Sequence, residues 1–426
     1  MTGQTDTSAQ GPGPPPGGPA RGLPALRALP RVVWLLGLAS LLNDVSSEAI
    51  FPLLPLFLAQ LGAPMRYLGL IEGSADALAS VIKMIAGRLS DRGPRRLMVT
   101  GGYALPALAR AGIAFAAAPF HVLTARLVDR AGKGIRSGPR DAMIADSVAK
   151  SERGRAFGLN RAMDHFGAAV GPLIASALIA LGVGLRATFF VAAALGLLAP
   201  LVLFLRLRDP AHVARPEEPA AQSGSKLRPG YASYLVVCVL FALGNSSDAF
   251  LLVRATELGW KNVPLLWFFH HIVKSAVAVP GGALSDRHSR AVVVSAGWAA
   301  YALVYVGFGF ATQGKHIVVL FLAYALYHGL AEGAERAIIA DLAEQGGRGR
   351  AFGLYHGFVG VAALPAGLAT GLVWDRFGSR AALGMNAAFA ALAAILLAWL
   401  AFAGPLRRSL VMAETANPVR SLPRRD

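Results

Sequence analysis

The chain contains the same patterns twice, at a constant separation. Gly-Arg-Leu-Ser-Asp-Arg at 87–92 returns as Gly-Ala-Leu-Ser-Asp-Arg at 282–287, an offset of 195 residues (282 − 87). Arg-Gly-Arg-Ala-Phe-Gly-Leu at 153–159 returns with the same offset at 348–354. A third pair keeps this register: Ala-Met-Ile-Ala-Asp at 142–146 and Ala-Ile-Ile-Ala-Asp at 337–341. Three matched segments in one register indicate that the chain is a duplicated unit.

Apolar stretches long enough to cross a bilayer fill both copies of the unit. The chain is 55% hydrophobic and 15% charged, whereas a soluble domain carries roughly 25% charged residues. About 20 apolar residues are enough to span a membrane. In chain order, we expect spans 1–6 near Val32–Leu58, Leu68–Ala86, Leu97–Ala118, Phe120–Ser147, Phe157–Val183 and Ala187–Leu205, and spans 7–12 near Tyr231–Leu258, Pro264–Leu284, Ala291–Thr312, His316–Leu342, Phe352–Val373 and Ala381–Ala403. The sequence therefore predicts an all-α membrane protein with twelve transmembrane helices in two six-helix repeats.

Composition divides the chain into two helical halves with polar connections. We expect an N-terminal six-helix half over 31–206 (the N half) and a C-terminal six-helix half over 231–404 (the C half). A cytoplasmic linker over 207–230 joins them, and a cytoplasmic tail follows over 405–426. Residues 1–30 are rich in Gly, Pro and Ala with few large apolar groups, which predicts a disordered cytoplasmic tail.

The net charge of +17 is explained by membrane topology. In a soluble protein such a charge would suggest nucleic acid as a partner, but here the cations cluster in alternate loops, the linker and the ends. Cation-rich loops stay in the cytoplasm, so both termini and the linker are expected there, in a multi-pass protein of the inner (cell) membrane. No nucleic acid is needed. The one cysteine, Cys238, offers neither a disulfide framework nor a zinc cluster.

Carboxylates inside the predicted spans are candidates for proton coupling. Charged groups in a bilayer are expensive and usually face a cavity or a partner. In span 1, Asp44 and Glu48 are four residues apart and share a helix face. Span 7 repeats part of this pattern with Asp248, and Glu332 lies in span 10. Alternatively, these acids pair with buried cations and only hold helices together.

Span 4 carries a stripe of cations. At about 100° per residue, five of its cationic side chains fall within an arc of roughly 120°: Arg126, Arg130, Lys133, Arg136 and Arg140. Interleaved Gly132, Gly134 and Pro139 predict a helix that is bent or locally unwound. Alternatively, Arg136 and Arg140 reach towards cytoplasmic water. The residues proposed to bind substrate are Arg126, Arg130, Lys133, Arg161, His165, His328 and Glu335.

The repeated segment at 87–92, followed by Arg95 and Arg96, resembles the helix 2–3 loop motif of the major facilitator superfamily. The resemblance implies two six-helix halves that rock around a midplane path lined by helices 1, 4, 7 and 10. It implies a conformational latch made by Gly87, Asp91, Arg92, Gly282, Asp286 and Arg287. In span 5, Gly167, Gly171 and Pro172 resemble a motif of the family's proton-coupled antiporters. Small residues at this spacing also serve helix packing alone.

The repeat also suggests a cytoplasmic gate. Arg140 and Asp141 of span 4 correspond, 195 residues on, to Glu335 and Arg336 of span 10. The charges are inverted, so the two pairs could meet across the path when the cytoplasmic side closes. Alternatively, each residue pairs within its own half.

No enzyme motif appears in the sequence: it lacks a phosphate loop, a nucleophile elbow and a metalloprotease helix. We therefore expect a secondary transporter without a cofactor or bound metal. Its partners would be protons, the lipid bilayer and a small-molecule substrate, and a monomer is expected. The favoured function is proton-coupled efflux of an anionic or acid-bearing small molecule. The alternatives are a proton-coupled importer of an organic anion, an exporter of a divalent metal or metal chelate, and a non-transporting membrane sensor.

Overall fold

The computed structural model describes residues 29–89, 94–149, 152–208, 227–343, 348–403 and 406. Regular structure in these ranges is helical, apart from an isolated β-bridge between Leu227 and Ala343. Nearly all of the expected N-terminal tail lies outside the described residues, as do most of the linker and of the C-terminal tail. The fold is an all-α membrane protein with twelve spans in two six-helix repeats, as the sequence predicts.

The N half contains spans 1–6. Span 1 is split by a short 3-10 turn, and spans 2–6 are single helices. The bounds are Arg31–Ile50, Phe51–Leu53 (the turn) and Leu54–Gln60 for span 1, then Met65–Leu89, Arg95–Ala114, Pro119–Asp146, Arg153–Ala180 and Leu185–Arg206. The turn in span 1 lies at Pro52 and Pro55, where missing backbone N–H groups interrupt the α-helical hydrogen bonds.

The C half contains spans 7–12. Span 7 is split into Tyr231–Gly244 and Ala249–Glu257, and spans 8, 9 and 10 are Val263–Arg287, Arg290–Phe310 and Gly314–Asp341. Spans 11 and 12 lie within Arg348–Phe402 and meet at Gly378, whose φ of 84° favours glycine. Side-chain hydrogen bonds support the break in span 7. The Tyr301 hydroxyl donates to the carbonyl of Gly244 at 3.0 Å, and the Asn386 amide donates to Ser246 Oγ at 2.8 Å.

Charge sets some spans apart from ordinary membrane helices. Eight helices in the described ranges are long and apolar enough to cross a bilayer, and the longest of them contains both span 11 and span 12. Spans 2, 4 and 8 are not among these eight; in spans 2 and 4, charged side chains interrupt the apolar sequence. Such helices need polar neighbours within the protein.

Span 4 is one continuous helix from Pro119 to Asp146 with Pro139 inside it, so of the two expected forms, bent or locally unwound, the unwound one is not seen. Its glycines instead allow neighbouring helices to approach. A Cβ on Gly132 would lie 2.4 Å from Pro106 of span 3, and one on Gly134 would lie 2.7 Å from Ile82 of span 2. The breaks seen in the described ranges lie instead in spans 1 and 7.

The two halves are joined most closely along spans 2 and 11. A Cβ on Gly69 would lie 1.9 Å from the carbonyl oxygen of Gly367, and one on Gly73 would lie 2.6 Å from that of Ala363. Span 5 approaches span 1 in the same way. A Cβ on Gly167 or Gly171 would lie within 2.5 Å of a backbone carbonyl oxygen of span 1. Small residues therefore allow backbone-to-backbone packing at both seams.

One ion pair occurs in both halves with the offset of the repeat. Arg95 at the start of span 3 contacts Asp146 at the end of span 4 at 2.7 Å. Arg290 at the start of span 9 contacts Asp341 at the end of span 10. The sequence repeat contains all four residues but does not show that they pair, since the partners are 51 residues apart along the chain. Each half thus ties the same two helix ends together.

The packing of span 2 on span 11 gives a testable prediction. Gly69→Ala should lower the stability of the folded protein by about 1–3 kcal/mol, because the new methyl group overlaps a backbone carbonyl that cannot easily move. Melting of the detergent-solubilised protein would measure this. Gly101→Ala in span 3 is the matched control, because a Cβ there meets nothing within 4 Å. Equal melting temperatures for both variants would contradict the proposed packing.

Candidate functional site

A bidentate ion pair lies inside the N half, between spans 2 and 4. Arg126 Nε and Nη2 donate to the two carboxylate oxygens of Glu72, at 2.9 and 2.6 Å. Arg126 is 4% exposed and Glu72 is 2% exposed. A planar guanidinium fork facing a carboxylate is the strongest geometry available to such a pair. Arg126, a candidate for substrate binding, is therefore already occupied by the protein's own acid.

The ion pair extends into a chain of charges across four spans, which we call the ion network: Glu72, Arg126, Asp129 and Arg110, with Asn43 at its end. Arg126 lies 3.7 Å from Asp129, which lies 2.7 Å from Arg110. Arg110 of span 3 then donates to the backbone carbonyl of Asn43 at 3.1 Å and to its side-chain oxygen at 3.2 Å. Every member is 3% exposed or less, apart from Arg126. Spans 1–4 are therefore bound together by buried charge.

The remaining cations of span 4 have different surroundings. Arg130 lies 3.4 Å from Asp76 of span 2, and Arg136 donates to the carbonyl of Gly102 at 3.1 Å. Arg140 pairs with the neighbouring Asp141 and donates to Ser40 of span 1 at 3.0 Å. Lys133 is exposed, and among the described residues no acid lies within ion-pair distance of it. The stripe thus changes from paired to unpaired charge within one helix.

The two acids of span 1 have different partners. Asp44 accepts a hydrogen bond from the neighbouring Asn43 amide at 2.9 Å. Glu48 instead reaches the other half of the protein. Its Oε2 accepts a hydrogen bond from Trp267 Nε1 of span 8 at 2.9 Å, and His271 Nε2 lies 3.7 Å away. We call Glu48, Trp267 and His271 the inter-half bridge.

The acids of the C half differ in the kind of partner they have: some accept hydrogen bonds from neutral donors, and one pairs with cations. Asp248, at the break in span 7, accepts a hydrogen bond from the Tyr324 hydroxyl at 2.5 Å. Glu335 accepts from Trp298 Nε1 at 2.6 Å and from the Tyr355 hydroxyl at 3.1 Å. Glu332 pairs with two cations, Arg336 at 2.7 Å and Lys274 at 3.9 Å.

An aromatic cluster occupies the position in the C half that the ion network holds in the N half. With the repeat offset, the four charged members Glu72, Arg126, Asp129 and Arg110 correspond to Trp267, Phe321, Tyr324 and Tyr305. These four are at most 4% exposed. His270 stacks between Trp267 and Tyr324, with ring centroids 4.9 and 5.3 Å away. The repeat therefore conserves helix positions but not their chemistry.

The other predicted residues lie at the edge of this interior. In span 5, Arg161 lies 3.7 Å from Asp164 and is 63% exposed. His165 lies within electrostatic range of Lys274 and Glu332, which places it opposite spans 8 and 10. His328 lies against the aromatic cluster, with its ring centroid 5.0 Å from that of Tyr324. In the described part of the chain, no three His, Cys, Asp or Glu side chains have an arrangement suited to a metal ion.

The latch residues are described only in part. Asp91 and Arg92 lie outside the described residues. Gly87 lies near the end of span 2, and Gly282, Asp286 and Arg287 lie in the last two turns of span 8, but their surroundings are not described. The latch remains a prediction.

The interior is closed towards one face of the protein. We call the face where span 6 ends and span 7 begins the linker face, and the opposite one the far face. At the far face, Asp375 of span 11 accepts hydrogen bonds from the backbone of Met65 and Arg66, at 2.7 and 3.1 Å. Asn262 donates to Ser176 of span 5 at 2.8 Å. The inter-half bridge lies deeper on the same side.

The linker face lacks comparable bonds between spans 4 and 10. Among the described side chains, no ion pair or hydrogen bond joins these two helices. Arg140 and Asp141 pair with each other, Arg336 pairs with Glu332, and Glu335 is held by two residues of its own half. The predicted gate partners are therefore apart in this state.

Twelve spans in two repeats, a charged interior and closure at a single face define a multi-pass membrane transporter for a small-molecule substrate. Residues 36–271 and 254–423 match the model of the Major Facilitator Superfamily. The chain belongs to that superfamily, whose members are transporters and not enzymes, and this confirms the resemblance of the loop motif and the absence of enzyme motifs.

Known relatives extend over most of the chain. An uncharacterized MFS-type transporter of Methanocaldococcus jannaschii is 30% identical over 359 residues, covering 82% of this chain and 89% of the relative. The multidrug resistance protein MdtH of Aeromonas hydrophila is 25% identical over 338 residues, covering 75% and 82%. The structure of a bacterial homolog of the human lysosomal transporter Spinster, inward-facing and unoccupied, superposes with a TM-score of 0.70 at 15% identity, covering 92% of this chain and 99% of that one.

The ion network gives a prediction about stability. Arg126→Gln should cost about 3–5 kcal/mol, because it leaves Glu72 buried without its cation. The double variant Arg126→Gln with Glu72→Gln should recover part of this loss, because no charge is then stranded. Thermal melting of the purified protein would measure both.

A matched arginine provides the control for this experiment. Arg161→Gln should cost less than about 1 kcal/mol, because that arginine is largely exposed. If Arg126→Gln and Arg161→Gln melted alike, the network would not stabilise the N half.

Proposed function

We propose that this protein exports an anionic or acid-bearing small molecule from the cytoplasm in exchange for protons. In this proposal it acts as a monomer in the inner (cell) membrane. The linker face and both termini lie in the cytoplasm, where the cation-rich loops belong. An ion gradient supplies the energy, since the sequence contains no phosphate loop for ATP.

The inter-half bridge is the observation that carries the proposal. Glu48 is the acid in span 1 that contacts the C half, through Trp267 and His271. Its side chain is 25% exposed, so water can deliver or remove a proton. A carboxylate that is both titratable and placed between the moving halves can link proton binding to the position of those halves.

Protonation of Glu48 acts on the bridge in a definite direction. A neutral carboxyl group loses its charge attraction to His271 and accepts a weaker hydrogen bond from Trp267, since charge-assisted hydrogen bonds are roughly twice as strong as neutral ones. Closure at the far face is weakened, and the protein shifts towards the state open on that side. A proton taken up from the far side therefore favours the state open on that side, and release of the proton favours closure.

The other candidate acids act within one half. Asp44 is bonded to Asn43, Asp248 to Tyr324, and Glu332 to Arg336. Protonation of any of these would change one half without directly changing the contact between halves. If Glu48 does not couple proton binding to transport, these three acids are the next candidates.

The charge of the path supports an anionic substrate. Arg130, Lys133, Arg161 and His165 lie on spans 4 and 5 around the interior, and Lys133 has no acid within ion-pair distance among the described residues. Arg126 is assigned here to holding the N half together, because Glu72 and Asp129 surround its guanidinium.

Gate and latch complete the proposed cycle. When the linker face closes, span 4 approaches span 10, and Arg140 exchanges its present partners for Glu335 of the other half.

The relative named as a multidrug resistance protein, at 25% identity, supports export as the direction of transport.

The coupling role of Glu48 is tested by the accessibility of the far face. Ser176→Cys places a thiol at a buried contact between the halves, and the native Cys238 is buried. Glu48→Gln should increase labelling of this thiol by a membrane-impermeant maleimide several-fold, because the neutral amide imitates the protonated acid. Acidification should do the same in the parent protein when labelling is expressed relative to an exposed thiol at the same pH, since it protonates Glu48 while slowing all thiols alike.

Three controls separate Glu48 from its neighbours. Asp44→Asn and Asp248→Asn should leave labelling and its pH response unchanged. His271→Gln should keep part of the pH response, because Trp267 still bonds to Glu48. A Glu48→Gln variant that labels like the parent at every pH would refute coupling through the bridge.

Direction of transport is tested with inverted membrane vesicles. Export by antiport predicts that a labelled organic anion, such as carboxyfluorescein, accumulates when the vesicle lumen is acidic, because protons leave as the anion enters. Accumulation only with an alkaline lumen would instead identify a proton-coupled importer. Loss of anion accumulation in the Glu48→Gln variant would link the direction of transport to the labelling result at the far face.

A further inference from the structure

Two lysines in the membrane-spanning part of the N half have no acidic partner. Lys83 of span 2 and Lys133 of span 4 are both exposed. Among the described residues, no carboxylate lies within 4.0 Å of either ammonium group. Lys133 is at the middle of a 28-residue helix, too far from either end for its side chain to reach the membrane surface. An unpaired cation at this depth is expensive unless it faces water or a ligand.

The two lysines lie at one level of the protein, where spans 2 and 4 cross. The residues next to them in sequence are in direct contact, since a Cβ on Gly134 would lie 2.7 Å from Ile82. Lys83 and Lys133 lie within electrostatic range of each other and of Arg130. The three cations therefore form a group, which we call the lysine site.

Helix geometry directs Lys83 towards the interior. At about 100° per residue, Lys83 falls between Glu72 and Asp76 on the helical wheel of span 2, within roughly 20° of each. Those two acids contact the cations of span 4. The contacts of span 2 with span 11, at Gly69 and Gly73, lie on the adjacent side of the helix. Lys83 therefore shares the face that is directed at the ion network and not at lipid.

The acids near the lysine site are already engaged. Glu72 is held by Arg126, and Asp76 lies 3.4 Å from Arg130. Asp44 and Glu48 of span 1 also lie within electrostatic range of Lys133, and Glu48 is engaged in the inter-half bridge. Arg136 adds a further cation nearby, bonded to a carbonyl and stacked on Tyr103. The four cations at this level therefore outnumber the three acids near them.

We propose that Lys83 and Lys133, with Arg130, bind a small substrate that carries two negative charges, such as a phosphate monoester or a dicarboxylate. This inference rests on the proposed export of an anion and narrows its substrate class. One ammonium group neutralises each charge, and Arg130 supplies a planar donor alongside. The C half has no such pair, because the positions 195 residues on are Ala278 and His328. The dianion is thus held by the N half.

Equilibrium binding to the full-length protein in detergent tests the site without any proton gradient. The probes are inorganic phosphate and succinate as dianions and propionate as a monoanion, titrated by calorimetry and by their effect on the melting temperature. At least one dianion should bind at least ten-fold more tightly than propionate. Lys83→Gln and Lys133→Gln should each weaken that binding ten-fold or more, and the double variant should abolish it.

Lys261→Gln is the matched control, because it removes the same charge from an exposed loop between spans 7 and 8. It should bind the dianion like the parent protein. Without ligand, the two site variants should melt at or above the parent temperature, because repulsion between unpaired cations is reduced. This distinguishes lost binding from lost folding.

The outcomes separate this inference from the proposed function. Dianion binding that is lost only in the lysine variants supports the site, whether or not Glu48 couples protons. Failure of both dianions to bind the parent, or full binding by both lysine variants, overturns the site while leaving the pH response of the far face as an independent result. Selective binding of phosphate or of succinate supports the site and identifies the preferred anion geometry.

Discussion

Charge inside a low-dielectric membrane must be paired, and the arrangement of the N half follows from this requirement. Glu72 needs Arg126, Arg126 also contacts Asp129, and Asp129 needs Arg110. Each helix contributes an ion that only another helix can satisfy. Removing one member leaves a stranded charge, which is far more costly than removing a complete pair. The ion network therefore binds spans 1–4 to one another, and contacts that can change more easily lie elsewhere.

Contacts of this kind lie where the hydrogen-bond donor is neutral or where a charged side chain has no ion-pair partner among the described residues. The inter-half bridge joins Glu48 to an indole and an imidazole, and we propose that its strength depends on one proton. Lys83 and Lys133 are the cations that we propose to bind a ligand from solution. The same helices thus hold two kinds of charge. One kind is buried and paired within the protein, and the other is accessible to solvent.

The sequence was enough to predict the fold, because the repeat offset and the apolar stretches together set the number and order of the spans. It also located the charged helices. It did not reveal which charges are paired, since Glu72 and Arg126 are 54 residues apart, and neither periodicity nor composition reports a contact between distant helices. One usable signal for this pair was that spans 2 and 4 both contain charged residues, with an acid in one span and a base in the other. The bridge from Glu48 to Trp267 crosses 219 residues and joins the two halves, so it required the three-dimensional arrangement.

The replacement of the ion network by an aromatic cluster has a consequence for the ancestry of the two halves. After duplication, both copies kept the positions at which their helices meet, yet one filled them with ions and the other with rings. A single exchange between copies would bury an isolated charge among rings, or leave an ion facing a ring. The substitutions are therefore interdependent, and the copies could diverge only through correlated changes. The two halves still share the arrangement of their helices, but the side chains at these buried positions differ in chemical type.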